Sequence, residues 1–462
     1  MSKLKGAYGS IDEILKQGFD RERRSSEFFE SVQKAKSFSL DSLSAESYQV
    51  GLESASSILN VNSGLPQEQN FGIQKSIRKA FGKPGINEPK IGGHPDFDYL
   101  ADTKTLKNGF NVSLFIDIKG STKLGVTYSA ETVFLIKNAI IRAAIETIQA
   151  FDGHVHRIMG DAVLAFFRSD KKARNAAIDA INCGTYIVQV MNEVVKPYFT
   201  EQGIEDDVGI RIGIDYGKKE AVIWGMYGYS GASEVTATSY YVDIAAKLQQ
   251  KAPKNRVLLG QSIKELLDLP DKILETRYVQ SNGEKVKKEF VEPNYLDASG
   301  KPINYKQYLL NHEKYIALLP SPSISNSSGN IEITAHLKDD KNSPSKMIYF
   351  PCSQVVKKRL GIDFKVKFEL PKQDLNKDVR VRFRVENTGA EAREAAENSD
   401  NHENVVEAHI SDDGYYRASQ WADTGYLGLH FMHVSVLDEN RRTLLQEESF
   451  GVFIGDPLLE IN

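Results

Sequence analysis

The sequence predicts an α+β protein: a ferredoxin-like antiparallel sheet with packed helices, followed by a β-rich C-terminal domain. Strand-like and helix-like runs alternate as βαββα from residue 111 onward, which lays helices against one sheet. Residues 320–330 begin PSPSISNSSG and have the composition of a linker. Beyond them, residues 379–385 (VRVRFRV) alternate apolar and basic side chains with the period of a strand.

Taken in order, residues 11–77 are polar and loosely helical, and residues 81–94 (FGKPGINEPKIGGH) are too rich in Gly and Pro for helix or sheet. A boundary near Asp96 makes 1–95 a helical N-terminal accessory segment and 96–319 the first globular domain. Within it, residues 111–117 (NVSLFID) form a short apolar strand. Residues 131–151 form a helix with Val133, Ile136, Ile140, Ala144 and Ile148 on one face. Two strand-like runs, HVHRI and AVLAFF, are joined by Met159, Gly160 and Asp161, and a second helix spans about 171–195. Strands at 208–215, 221–227 and 255–259 and a helix at 238–251 complete the unit. Asn282 and Gly283 sit between two strand-like runs and specify a tight hairpin, an arm leaving the sheet. After the linker, residues 331–462 read as mostly β, with an acidic, aperiodic stretch at 386–407 expected to be a mobile loop.

Length and composition bound the function. The 462 residues hold two to four domains at the usual ~100 to 200 residues each. Apolar residues are 41% and charged residues 26%, which excludes collagen-like and wholly disordered chains. A net charge of -4 gives no global attraction to nucleic acid or anionic lipid, so phosphate affinity has to be local. Cys183 and Cys352 are too few and too far apart for a disulfide framework. No signal-type N-terminus and no apolar run of the ~20 residues a membrane helix needs is present, so a cytoplasmic protein with neither nucleic-acid nor membrane partners is expected.

Chemistry concentrates in two motifs. FIDIKGST (115–122) sets Asp117 at a strand exit and follows it with Lys119, Gly120, Ser121 and Thr122, a turn whose backbone N–H groups can cradle phosphate oxygens. RIMGDAVLAFF (157–167) sets Asp161 at a hairpin tip. In a ferredoxin-like sheet the first and third strands are antiparallel neighbours, so Asp117 and Asp161 meet. An aspartate alone is a common turn former. Two of them converging beside a phosphate-binding turn offer what a pair of Mg²⁺ ions needs, with the Ile118 carbonyl as a further ligand. Phe115, two positions before Asp117, shares its face and offers a stacking surface for a base, or else an ordinary core aromatic. His154 and His156 alternate on a strand with no third ligand nearby, which suits a solvated or hydrogen-bonded pair. Cys183 reads as a buried apolar residue.

These two motifs resemble the metal-aspartate motifs of class III nucleotide cyclases, and TSYYVDIAAKLQ (238–249) is similar to that family's third motif, on its catalytic helix. The resemblance covers about 111–259. It implies a ferredoxin-like class III cyclase domain working as a head-to-tail homodimer. Asp117, Asp161 and Ile118 of one subunit would hold two Mg²⁺ or Mn²⁺ ions, and the transition-state residues would come from the other. Where the family has Asn and Arg on the helix, this chain has Asp243 and Lys247. Lys247 keeps the charge without the planar fork, and Asp243 exchanges an amide for a carboxylate. Adenylate cyclases of the family carry Lys four residues before the second metal Asp and Asp seven before the helix Asn; Arg157 and Thr236 stand there instead. Neither matches a purine code.

Those departures, with the C-terminal domain, resemble the bacterial pyrimidine cyclases of phage-defence (Pycsar) systems and their appended AGS-C sensor domain. The resemblance implies cyclisation of CTP to cyclic CMP as an infection alarm read by a separate effector protein. A uridylate cyclase acting on UTP, a purine cyclase with an unorthodox pocket and a degenerate domain that binds nucleotide without turnover are the alternatives.

Overall fold

A computed structural model describes residues 71–88, 91–201, 208–229, 231–320, 331–371, 378–395 and 401–456, with single positions between 8 and 27. The expected linker falls almost wholly at 321–330, outside the described residues, as does most of the expected N-terminal helical stretch.

The first domain follows the expected order. Helix α1 (Gly72–Ala80) leads into β1 (Lys107–Asn108), β2 (Asn111–Lys119), α2 (Ser121–Thr127), α3 (Ala130–Ala150), β3 (Gly153–Met159), β4 (Ala162–Phe167) and α4 (Ala173–Val190). A π-turn at Met191–Val195 joins α4 to α5 (Lys196–Glu201). Then come β5 (Gly209–Gly217), β6 (Ile223–Tyr229), β7 (Ala232–Thr238), α6 (Tyr240–Lys251), β8 (Arg256–Gly260), α7 (Gln261–Leu267), β9 (Leu274–Glu275), β10 (Arg277–Ser281), β11 (Glu284–Lys288), β12 (Gln307–Leu310) and α8 (His312–Ile316).

The main sheet has seven strands in the order β3-β4-β2-β5-β8-β12-β9, and of its pairings only β5 with β8 is parallel. Alternation along β2 sorts its side chains. Val112, Leu114, Ile116 and Ile118 are buried in a core with Ile136, Ile140 and Ala144 of α3 and Ala177 and Ile181 of α4. Ser113, Phe115 and Asp117 occupy the opposite face. On that face α6 crosses β5 at Gly213, where the missing side chain lets the helix backbone press directly on the strand. The small sheet β1-β6-β7 also packs there, burying Trp224, Val235 and Ala237 against Leu164 and Phe166. β7 (ASEVTAT) was not expected from the sequence, because polar residues mask its alternation.

The β10–β11 hairpin turns at Asn282 (φ 51°) and Gly283 (φ 82°), the left-handed pair that a tight hairpin requires. Helix α1 is fastened to the domain body. Glu146 accepts from the Ile73 and Gln74 amides, Arg78 reaches Asp152, and Lys83 bridges Asp152 and the buried Asp179.

The C-terminal domain is a sandwich of two five-stranded sheets, in the orders β14-β13-β16-β20-β19 and β15-β22-β21-β17-β18. Its strands are β13 (Glu332–Lys338), β14 (Met347–Tyr349), β15 (Val355–Lys357), β16 (Gly361–Phe368), β17 (Arg380–Glu386), β18 (His402–Glu407), β19 (His409–Ile410), β20 (Tyr416–Asp423), β21 (Gly428–Leu437) and β22 (Thr443–Gly455). In β17, Val381 and Phe383 enter the core, while Arg382 donates to Ser435 and Arg384 to Glu447. The expectation of a loop across 386–407 is corrected: helix α9 (Ala390–Ala395) and edge strand β18 occupy part of it. β18 is ordered by six paired positions along β17 rather than by any pattern of its own.

The two domains share a continuous core, in which Cys352, Leu429, Phe431 and Phe453 pack with side chains of the first domain. Asn182 of α4 donates to the Cys352 carbonyl at 2.9 Å and accepts from the Tyr315 hydroxyl at 2.9 Å. Lys272 pairs with Glu386 and lies 3.4 Å from the Phe431 ring centroid. Among the described residues, no helix is long and apolar enough to cross a membrane.

Candidate active site

Asp117 stands directly opposite Ala162 across the β2–β4 ladder, so Asp161 lies one position beyond the same rung. The Ile118 amide donates to the Asp161 carbonyl at 3.2 Å and fastens the strand end to the hairpin tip. Gly160 forms that tip at φ 65°, which glycine adopts without strain. The structure therefore brings Asp117, Ile118 and Asp161 together. Both carboxylates are partly exposed, at 18% and 27% of the side chain.

Each carboxylate attracts a cation. Arg211 of β5 is in register with Asp117, with Nε 3.1 Å from Oδ2 and Nη2 on the same oxygen. Lys137 of α3 lies 3.6 Å from the Asp161 carboxylate, which also accepts from the Ser121 hydroxyl. Two neighbouring carboxylates that draw a guanidinium, an ammonium and a hydroxyl concentrate negative charge, and their hard oxygens are the donors that Mg²⁺ and Mn²⁺ take. The donor set fits a divalent ion. Class III cyclase domains are in general divalent-metal dependent.

Gly120, at φ 85°, begins α2, whose Ser121 is buried while Lys119 and Thr122 are exposed. The amides of Ser121 and Thr122 fall in the first helical turn, where no intrahelical acceptor exists.

Arg157 reaches this face through a bulge. The β3–β4 register shifts between Val155 and Arg157, so that Arg157 pairs with Leu164, which in turn pairs with Phe115. Directly opposed residues share a face, so all three lie on the side that carries Asp117. Glu234 of β7 takes the Arg157 Nε at 2.9 Å and also contacts Nη2. Thr236, two residues on, bonds His156 Nε2 at 2.9 Å, and His156 Nδ1 bonds the Gly92 carbonyl at 2.8 Å. His154 bonds the same carbonyl at 2.9 Å, so both imidazoles hydrogen-bond to one backbone acceptor. Burial and the Arg157 charge push the His156 pKa down, partly offset by the bond to Gly92. Phe115 is half-buried against the Trp224 cluster.

Asp243 and Lys247 lie on α6. Asp243 is exposed, and the Lys247 ammonium stands 5.5 Å from the Tyr295 ring centroid. Among the described residues, no hydrogen bond or ion pair joins either to Asp117 or Asp161. Arg211, Glu234 and the Gly92 carbonyl were not singled out from the sequence. Their roles come from pairings between distant segments, and nothing local marks them.

Also unmarked is Asp215, on the same strand face as Arg211. It is fully buried, accepts from the Ser262 and Tyr305 hydroxyls and the Tyr216 amide, and is pushed up to about 7 by burial against the pull of those donors.

Residues 109–310 match the adenylate and guanylate cyclase catalytic domain, and residues 310–455 match the adenylyl/guanylyl and SMODS C-terminal sensor domain. A protein of Escherichia coli named cytidylate cyclase is 41% identical over 411 residues, covering 87% of each chain. One of Staphylococcus aureus with the same name is 36% identical, covering 87% of this chain and 90% of its own. A second Escherichia coli cytidylate cyclase is 32% identical over 408 residues, covering 83% and 87%. With a cyclase catalytic domain joined to a sensor domain and such relatives along most of its length, the chain belongs to the cytidylate cyclase family of nucleotide cyclases.

Proposed function

We propose that this protein converts CTP to 3′,5′-cyclic CMP and pyrophosphate, as a head-to-tail homodimer, and that the product is a second messenger of anti-phage defence read by a separate effector. The observation that carries the reading is the meeting of Asp117 and Asp161 beside the start of α2, in a chain whose relatives are named cytidylate cyclases.

Asp117, Asp161 and the Ile118 carbonyl would hold two Mg²⁺ or Mn²⁺ ions. Bound there, such ions supply Lewis acidity that lowers the pKa of the ribose 3′-hydroxyl and positive charge opposite the triphosphate. The reaction joins the 3′-oxygen to the α-phosphorus, breaks its bond to pyrophosphate and releases the hydroxyl proton to water. No side-chain nucleophile takes part. The turn at Lys119, Gly120, Ser121 and Thr122 receives phosphate oxygens on its first-turn amides. Lys247 of the second subunit offsets charge at the reacting phosphorus, and Asp243 beside it orients the ribose. The exposed apolar side chains of Ile158, Met159, Tyr227 and Tyr229 near Arg157 support a site completed across a dimer.

Base recognition falls to Arg157 and Thr236, with Phe115 as a stacking surface. Glu234 occupies the Nε edge of the Arg157 guanidinium, which leaves two parallel N–H donors on the outer edge. Cytosine offers O2 and N3 as adjacent acceptors, whereas uracil offers O2 beside an N3–H donor. The carboxylate of Asp243, in place of the family's amide, favours the second reading of nucleotide binding without turnover. Incubating the purified protein with each of the four NTPs and Mn²⁺ and identifying products by mass spectrometry decides. Cyclic CMP as the main product supports the proposal, cyclic UMP or a purine product replaces it, and no cyclic product from any NTP leaves the binding reading.

A further inference from the structure

We infer that His156 sets the substrate preference by fixing the direction of the Thr236 hydroxyl, turning it into a hydrogen-bond acceptor that recognises the exocyclic amine of cytosine and turns away the O4 carbonyl of uracil. This rests on the proposed role of Thr236 in base recognition.

The Gly92 carbonyl can only accept. It lies 2.8 Å from His156 Nδ1, so Nδ1 carries a proton. A neutral imidazole then has a bare lone pair on Nε2, and the only proton available to fill the 2.9 Å contact with Thr236 is that of the hydroxyl. Thr236 spends its one proton on His156 and keeps only lone pairs for anything else.

The surroundings hold His156 in this state. The ring is 1% exposed, stacks on Phe166 at 4.8 Å, and sits next to the positively charged Arg157. His154, packed beside it, donates to the same carbonyl through Nε2. Among the described residues, Glu234 is the acidic group that pairs near Nε2, with Oε1 at 3.6 Å, and it is engaged by the Arg157 guanidinium.

At the position where cytosine has an amine, uracil has a carbonyl. A hydroxyl oxygen whose proton is committed to a neighbour accepts from the first and repels the second. A free threonine hydroxyl would rotate to suit either, so selectivity resides in the histidine behind it. A buried imidazole with no access to substrate acts here as a positioning residue.

The test has two parts. Selective ¹⁵N labelling of histidine in the full chain reports the His156 tautomer, which is expected to be Nδ1–H with an unprotonated Nε2 at neutral pH. An Nε2–H tautomer or an imidazolium overturns the inference. Kinetically, kcat/KM for CTP and UTP is compared in the wild type, His156→Phe, Thr236→Val and Thr236→Ser. His156→Phe, which keeps the ring stack, frees the hydroxyl and lowers the CTP:UTP ratio by about tenfold or more, chiefly by raising UTP turnover. Thr236→Val lowers the ratio by loss of CTP turnover, and Thr236→Ser preserves it. In the double variant His156→Phe/Thr236→Val the ratio equals that of Thr236→Val alone, since no hydroxyl remains to be directed.

A folded His156→Phe with an unchanged ratio overturns the inference. If that variant does not fold, equal ratios in Thr236→Val and Thr236→Ser overturn it. A wild type that prefers UTP, or makes no cyclic product, removes the cytidylate reading before any variant is compared. A wild type that prefers CTP, with variants that keep the preference, removes only the role of His156.

Discussion

Arg211 and Asp117 face each other across adjacent antiparallel strands, and the guanidinium that holds the Asp117 carboxylate through Nε and Nη2 also donates from Nη1 to the Gln250 carbonyl at 3.2 Å. One side chain thus ties a candidate metal ligand to the last turn of α6, the helix that carries Asp243 and Lys247. In the proposed head-to-tail dimer these two elements serve different sites, braced within each chain by the same residue.

Asp117→Asn and Asp161→Asn keep side-chain volume and remove the charge that would hold divalent ions. Each is expected to reduce Mn²⁺-dependent cyclic CMP formation by about a thousandfold or more, with a melting temperature close to the wild type's. Turnover by mass spectrometry beside a thermal melt checks this, and an active Asp117→Asn protein contradicts the assignment.

Gly213 sets how closely α6 lies on the sheet. A methyl group there would sit 2.2 Å from the Gln249 amide nitrogen and 2.3 Å from the Ala245 carbonyl oxygen, both backbone atoms that cannot swing aside. Gly213→Ala is expected to cost about 1 to 3 kcal/mol or more in stability and to shift Asp243 and Lys247. Denaturant unfolding with CTP turnover measures both effects, and a variant as stable and active as the wild type contradicts this packing.

Lys247 is assigned charge without a fork. Lys247→Ala is expected to lower kcat by about 100- to 1,000-fold with a smaller change in KM, and Lys247→Arg to restore part of the loss. A Lys247→Ala enzyme with normal kcat would return the residue to its other visible role, packing over Tyr295.

Much of this was legible in the sequence, for reasons that particular residues make plain. Asp117 and Asp161 stand in contiguous motifs, and strand order alone predicts that they meet. VRVRFRV and the Asn282-Gly283 turn are governed by local rules of alternation and backbone conformation, and both form as expected. β7 and β18 were not seen, because short polar strands take their order from a partner. Arg211, Glu234 and the Gly92 carbonyl were invisible for a related reason: an ion pair or a tautomer is a property of two surfaces brought together by the fold.

Asp215 gives a pH signature. An ordinary aspartate ionises near 3.8, and here burial pushes the group up to about 7. The folded state then keeps a proton that the unfolded chain has released. The stability this provides is fully present below about pH 4 and is lost as pH rises through about 7. Asp215→Asn does not titrate. The difference in melting temperature, variant minus wild type, is expected to become more positive between about pH 5 and pH 8, and a gap independent of pH contradicts it.

The proposed activity requires Asp117 and Asp161 to hold the ions that serve cyclisation of a pyrimidine triphosphate. The most direct measurement is anomalous diffraction from crystals of the full chain grown with Mn²⁺ and a non-cyclisable CTP analogue. Manganese peaks are expected within about 2.0 to 2.3 Å of oxygens from both carboxylates, with the triphosphate on the same ions. Manganese bound to the nucleotide alone, with Asp117 still held by Arg211 and Asp161 turned away, would contradict it.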